Sequence, residues 1–102
     1  MKYLDADALD KCRLRFKGQE YEFAPATIKD HKDYFEGIFL PRLMAATTDE
    51  EERGIYIDAI RKYIPIPLED MKEATSLQIS SMLFMVQNGY SPLSIAAAQN
   101  LG

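Results

Sequence analysis

Apolar and charged positions alternate over residues 12–23, and the pattern changes to helical spacing after Pro25. Two alternating runs, CRLRFK and EYEF, are separated by Gly18 and Gln19. Alternating runs that flank a glycine are typical of a β-hairpin. Pro25 has no N–H to give to a strand ladder and therefore ends the second strand. The sequence predicts a hairpin over residues 12–24.

The pairing of the two strands can be predicted from the turn. If Gly18 and Gln19 are the two loop residues of a type II′ turn, with Gly18 at positive φ, the opposite pairs follow by counting outward. The pairs on one side join a base to an acid: Lys17 with Glu20, and Arg15 with Glu22. The pairs on the other side are apolar: Phe16 with Tyr21, and Leu14 with Phe23. The alternating bases are therefore expected to pair with acids across the hairpin rather than to bind phosphates.

A first helix is predicted over about residues 28–40. Thr27 and Asp30 have the spacing of a capping box, and Pro41 is expected to end or kink the helix near Leu40. The apolar positions of this helix give it a wide apolar arc, and they are Ile28, Tyr34, Phe35, Ile38, Phe39, Leu40 and Leu43.

Three further helices are predicted over about residues 49–63, 67–73 and 76–88. Thr47 and Thr48 precede an acidic run that suits a helix N-terminus, and Pro67 can open the short helix. Thr75 and Gln78 form a capping box. Gly89 is placed to follow the last helix in the left-handed conformation. The expected fold class is α+β, mainly α: an N-terminal arm (1–11), a single domain (12–89), and a short helix or loose tail (90–102).

The helix over residues 76–88 is apolar on more than one side, which predicts either a central core helix or one shared with a partner. A two-stranded hairpin is marginal in water by itself, so its aromatic side must also be covered, and its open strand edges favour self-association. The candidate partner-binding residues are Phe16, Tyr21, Phe23, Met82, Met85 and Val86. A homo-oligomer is therefore expected.

Composition excludes several classes of protein. A formal charge of −4 and a pI of about 4.9 argue against binding nucleic acid mainly through phosphates. The longest apolar run, residues 82–86, is far shorter than the ~20 residues that a membrane span needs. Cys12 is the single cysteine, which fits a reducing compartment, so a cytoplasmic location and no membrane partner are expected.

The sequence predicts no catalytic, metal-binding or cofactor-binding residue. His31 is the single histidine and is expected on the surface or in helix packing, and Cys12 is expected to face inward as a small apolar residue. The glycines form neither phosphate-binding motif. The acidic run 49–52 fits a helix N-terminus better than a cation site. The protein is therefore not expected to be an enzyme, although a site formed between subunits stays open.

One alternative from another class is a small DNA-associated regulator that uses a helix-turn-helix around residues 65–67. The helix that would follow this turn, residues 76–88, has no Lys or Arg for phosphates or base edges. The charge pattern therefore favours a protein-binding role, without nucleic acid as a partner.

The order of these features resembles the tail assembly chaperones of long-tailed phages and prophages. The segments that carry the likeness are a strand ending in Phe16, the run 21–30 (YEFAPATIKD), an aromatic helix, an acidic capped helix, the run 66–70 (IPLED), and the run 75–79 (TSLQI). The likeness covers about residues 12–88 and lies in layout and size. It implies a non-enzymatic viral protein that binds the tape-measure protein while the tail is assembled.

Overall fold

The computed structural model describes residues 11–89 and shows an N-terminal hairpin followed by four helices. The elements are β1 (Cys12–Phe16), β2 (Gln19–Phe23), α1 (consecutive segments Ile28–Asp30, His31–Phe39 and Leu40–Ala45), α2 (Asp49–Tyr63), α3 (Leu68–Lys72) and α4 (Ser76–Asn88). The predicted α+β class, mainly α, is confirmed. Residues 1–10 of the predicted arm and the predicted tail, 90–102, lie outside the described residues.

The hairpin is present, but its predicted register is wrong. The loop residues are Lys17 and Gly18, at φ 51° and 78°, so both central residues are left-handed as in a type I′ turn. The observed pairs are Cys12 with Phe23, Arg13 with Glu22, Leu14 with Tyr21, Arg15 with Glu20, and Phe16 with Gln19. The predicted and observed pairings keep the same faces together, because they differ by a two-residue step. The charge and apolar patterns therefore could not separate them.

The first helix is longer than predicted, because it continues through Pro41 to Ala45. Its middle segment, His31–Phe39, is a π-helix, in which the N–H of Leu40 bonds to the carbonyl of Phe35. The backbone hydrogen bonds change from the π pattern to the α pattern at Leu40. Pro41, which has no N–H to donate, follows directly at this change of pattern. The proline therefore does not end the helix.

The wide π turn also changes which side chains of α1 reach the core. Phe35 and Phe39 are buried and Leu43 is half-buried, a spacing of four residues. Ile28 and Ile38 were predicted to lie near the same face as Phe35, and Leu40 to widen the apolar arc, but all three side chains are exposed. A turn closed by i→i+5 bonds holds more residues than an α turn, so an α-helical period misplaces these positions.

Helix termini follow the predicted capping residues. The hydroxyls of Thr27, Thr48 and Thr75 accept the backbone N–H groups of Asp30, Glu51 and Gln78. In return, the side chains of Asp30 and Gln78 accept the N–H groups of Thr27 and Thr75, which completes two capping boxes. Gly89 ends α4 at φ 82°, as predicted.

The core lies where the apolar side of the hairpin meets α1, α2 and α4. Its buried side chains include Phe16 and Phe23 from the hairpin and Phe35 and Phe39 from α1. The helices and loops that follow supply its fully buried members: Ala59, Ile60, Ile64, Ile66, Met71 and Val86. The N–H of Ala26 donates to the carbonyl of Val86 over 2.7 Å and holds the linker after β2 against α4.

Candidate protein-binding surfaces

The six candidate partner-binding residues do not form one exposed surface. Phe16, Phe23, Met82 and Val86 are buried within the single chain, whereas Tyr21 and Met85 are half-buried at the edge of the core. The four buried residues therefore stabilise the fold and are not available to a partner on its surface. All four belong to the hydrophobic core of the chain itself.

A groove runs between α2 and α4. One part, of about 210 Å³, is lined by Tyr56, Ile79, Ser80, Leu83, Phe84 and Gln87. An adjoining part, of about 300 Å³, shares Tyr56, Ile79 and Ser80, and adds Asp49, Glu52, Arg53 and Ser76. The groove therefore follows α4 from Ser76 to Gln87, about 16 Å at the ~1.5 Å rise per residue of an α-helix.

The two ends of this α2/α4 groove differ in polarity. Tyr56, Leu83 and Phe84 give an apolar character to the end near Gln87. At the other end, the carboxylates of Asp49 and Glu52 have no ion-pair partner among residues 11–89, although they lie in the first turn of α2. The neighbouring guanidinium of Arg53 instead donates to the carbonyls of Lys72 and Ala74, at 3.1 and 2.5 Å. The polar end therefore carries negative charge.

Several exposed apolar side chains were not predicted as surface residues. Leu77 is 68% exposed, and it lies on the same side of α4 as Ser80 and Phe84, three and seven residues later. Met44, at 78%, and Leu40 are exposed one turn apart on α1. The exposure of Leu77 had a signal in the sequence, because its neighbours at i+3 and i+4 are both serines. The exposure of Leu40 had none, because it depends on the π turn.

His31 and Cys12 are both used in packing. The His31 ring lies 5.3 Å from the Phe35 ring, and its Nε2 is 2.8 Å from the carbonyl oxygen of Gln87 in α4. Cys12 is buried as predicted, its Sγ–H donates to the carbonyl of Gly89 at 3.1 Å, and burial raises the pKa of the thiol. A raised pKa disfavours the nucleophilic thiolate, so the position suits a structural cysteine.

Tyr63 and Asp30 form the most perturbed pair of titratable groups. The Tyr63 hydroxyl is buried and has no hydrogen-bond partner among the described residues. Burial, followed by the nearby Asp30 carboxylate, raises the pKa of Tyr63 to about 12. The capping N–H of Thr27 lowers the pKa of Asp30. The pair joins α1 to the end of α2, and Phe35 stacks on the Tyr63 ring at 6.1 Å, so its location is structural.

Among residues 11–89, no group of three or more His, Cys, Asp and Glu side chains could hold a metal ion. Within the same part of the chain, none of the helices has both the length and the apolar character needed to cross a membrane.

Comparison of the chain with protein-family models, with curated proteins and with solved structures finds no match.

Proposed function

We propose that this protein is a non-enzymatic assembly chaperone that holds an apolar helical segment of another protein. The single observation that carries the proposal is the α2/α4 groove, whose lining includes the half-buried side chains of Tyr56, Leu83 and Phe84. Contiguous apolar surface with a polar margin is typical of protein-interaction sites.

The length of the groove favours a helix as its occupant. About 16 Å corresponds to roughly eleven residues of α-helix, or three turns. A helix of this length presents apolar anchors at i, i+3 or i+4, and i+7, which is a common way to fill a groove between two helices. The carboxylates of Asp49 and Glu52 at the polar end favour a segment with Lys or Arg at that end.

In the resemblance to phage tail assembly chaperones, this occupant is a segment of the tape-measure protein. The net charge of −4 fits a carrier that keeps an apolar client in solution. The client is proposed to remain bound until tail-tube subunits replace the chaperone around it.

The test uses a bulky charged residue placed in the groove. Ser80 is exposed and lines both parts of the groove, so Ser80→Arg should block it without opening the core. Thr47→Arg is the matched control, because Thr47 is also exposed, has a hydroxyl and lies outside the groove residues. Where a neighbouring reading frame encodes a long, helix-rich protein, as the proposal expects, each variant is co-expressed with overlapping segments of that protein. Binding is measured by co-purification and titration.

We expect the wild type and Thr47→Arg to bind one amphipathic segment, and Ser80→Arg to lose at least tenfold in affinity. Circular dichroism establishes that both variants are folded. Equal binding by folded Ser80→Arg would exclude the groove as the site. A neighbouring gene of another kind, with no tape-measure protein, would exclude the phage assignment.

A further inference from the structure

The outer edges of the hairpin carry unpaired backbone groups. In a two-residue hairpin, Phe16 and Gln19 exchange backbone bonds beside the loop, and the bonded pairs then alternate outward. The N–H and C=O groups of Arg13 and Arg15 in β1 therefore point away from β2, and those of Glu20 and Glu22 point away from β1. Among residues 11–89, no other element bonds to these edges.

The charges on the two edges are opposite. The side chains of Arg13 and Arg15 are exposed on β1, and those of Glu20 and Glu22 are exposed on β2. Arg15 already contacts Glu20 at 2.7 Å, and Glu22 lies 3.7 Å from Lys11. Arg13 has no ion-pair partner among the described residues. A guanidinium has five N–H donors, so an arginine can contact acids on both sides.

This distribution discriminates among the ways in which two copies could join. Pairing β1 with β1 would place arginine beside arginine, and pairing β2 with β2 would place glutamate beside glutamate. Pairing β1 of one copy with β2 of the next places arginines beside glutamates and extends one antiparallel sheet. Charged edges commonly prevent strand addition, but here they oppose only the two like-with-like arrangements.

We propose that copies of this protein associate through their hairpins, with β1 of one copy bonded to β2 of the next. Such a head-to-tail interface uses two different surfaces, so it generates a closed ring or an open filament rather than a two-fold dimer. The interface lies on the hairpin and the α2/α4 groove lies on the helices, so the proposal does not depend on what the groove binds.

The experiment exchanges charges at Arg13 of β1 and Glu22 of β2, which lie opposite each other within one hairpin and on facing edges in the proposed interface. Arg13→Glu leaves one arginine and one glutamate on the β1 edge, and Glu22→Arg leaves one glutamate and one arginine on the β2 edge. Each change therefore replaces an attraction between opposite charges on facing edges by a repulsion between like charges. Each single variant should therefore associate about tenfold more weakly than the wild type, measured by light scattering and sedimentation over a concentration series. Added salt should weaken the wild-type assembly, because the charges are exposed.

Mixing the two variants is the decisive step. In an equimolar mixture, β1 of the Arg13→Glu variant brings its new carboxylate to the new guanidinium on β2 of the Glu22→Arg variant. At the alternate interface, the unchanged Arg13 of one variant meets the unchanged Glu22 of the other, so association should return to nearly the wild-type level. A folding defect within each chain could not be repaired in this way. Lys29→Glu, an exposed charge reversal on α1, is the matched control and should leave association unchanged.

Three results would overturn the proposal. They are a wild type that stays monomeric up to its solubility limit, single variants that associate like the wild type, and a mixture that associates no better than its components. Ser80→Arg should assemble like the wild type, so loss of client binding and loss of self-association are separate outcomes.

Discussion

The guanidinium of Arg53 in α2 donates a 2.5 Å hydrogen bond to the backbone carbonyl of Ala74, which lies just before the N-cap of α4. The same group donates to the carbonyl of Lys72 at 3.1 Å. Carbonyls at the end of a helix lack intrahelical partners, so one side chain of α2 satisfies the end of α3 and fixes the start of α4. This contact also positions the polar end of the α2/α4 groove.

Replacing Arg53 by methionine should lower the free energy of unfolding by about 2–3 kcal/mol, because hydrogen bonds from a charged donor are lost and partly buried carbonyls are left unsatisfied. Arg53→Lys is the control, because one ammonium reaches fewer of the carbonyls and should recover only part of the loss. Urea denaturation followed by circular dichroism gives both values. Equal stability of the methionine variant and the wild type would show that the hydrogen bonds of Arg53 do not stabilise the fold.

The Tyr63 hydroxyl predicts a specific dependence on pH. A pKa of about 12 in the folded protein is above the ordinary value of 10, so the folded state holds this proton more tightly than the unfolded state. The corresponding stability is complete below about pH 10 and is lost as the pH rises toward 12. Unfolding at a series of alkaline pH values should therefore show a steeper loss in the wild type than in Tyr63→Phe.

At neutral pH, Tyr63→Phe should be neutral or stabilising by up to about 1 kcal/mol, because it removes a buried hydroxyl that has no hydrogen bond. A loss of more than about 1 kcal/mol would show instead that the hydroxyl bonds to Asp30 in solution.

The hairpin register can be tested at the turn. Lys17 stands at φ 51°, where Asn is much better tolerated than Lys, and Asn-Gly is the preferred type I′ pair. Lys17→Asn loses the ion pair with Glu73, an exposed interaction of little value. Lys17→Ala loses the same ion pair without improving the turn. We expect Lys17→Asn to be about 0.5–1 kcal/mol more stable than Lys17→Ala in thermal unfolding. A type II′ turn over Gly18 and Gln19 would give no such difference.

Val86 was a candidate partner-binding residue, but its side chain is completely buried. We therefore expect it to contribute to the stability of the fold. Val86→Ala should cost about 2 kcal/mol of stability, from lost apolar burial and the cavity left behind. Met85→Ala, at a half-buried neighbour, should cost less. Denaturant midpoints compare the two variants. A negligible effect of Val86→Ala would place this side chain at the surface.

The ends of a helix could be predicted from the sequence where they are set by interactions between nearby residues. Thr48, Thr75 and Gly89 mark their helix ends through hydrogen bonds and a backbone conformation that involve only nearby residues. The bounds of α2 and α4 therefore agree with the prediction. Pro41 misled the prediction because its effect on a helix depends on the bonding pattern around it, and a π segment precedes it.

The α2/α4 groove was less predictable than the helix bounds, because it depends on how two helices pack together. Apolar character identified α4 as important, but Met82 and Val86 face inward while Leu77 faces solvent. The facing depends on where α2 packs against α4, which is a long-range relationship. The groove residue Tyr56 had no distinguishing signal, because its spacing fits an ordinary core position.

By itself, the sequence determined the α+β class, the starts of the capped helices and the separation of the hairpin into a charged and an apolar side, because each depends on hydrogen bonds or periodicity within a few residues. The tertiary structure decided the hairpin register, the length of α1, and which apolar side chains are left to form the α2/α4 groove. These depend on contacts between distant segments, such as Ala26 with Val86 and Arg53 with Ala74. Local patterns are the same for several such arrangements, and only the packing of the whole chain selects one.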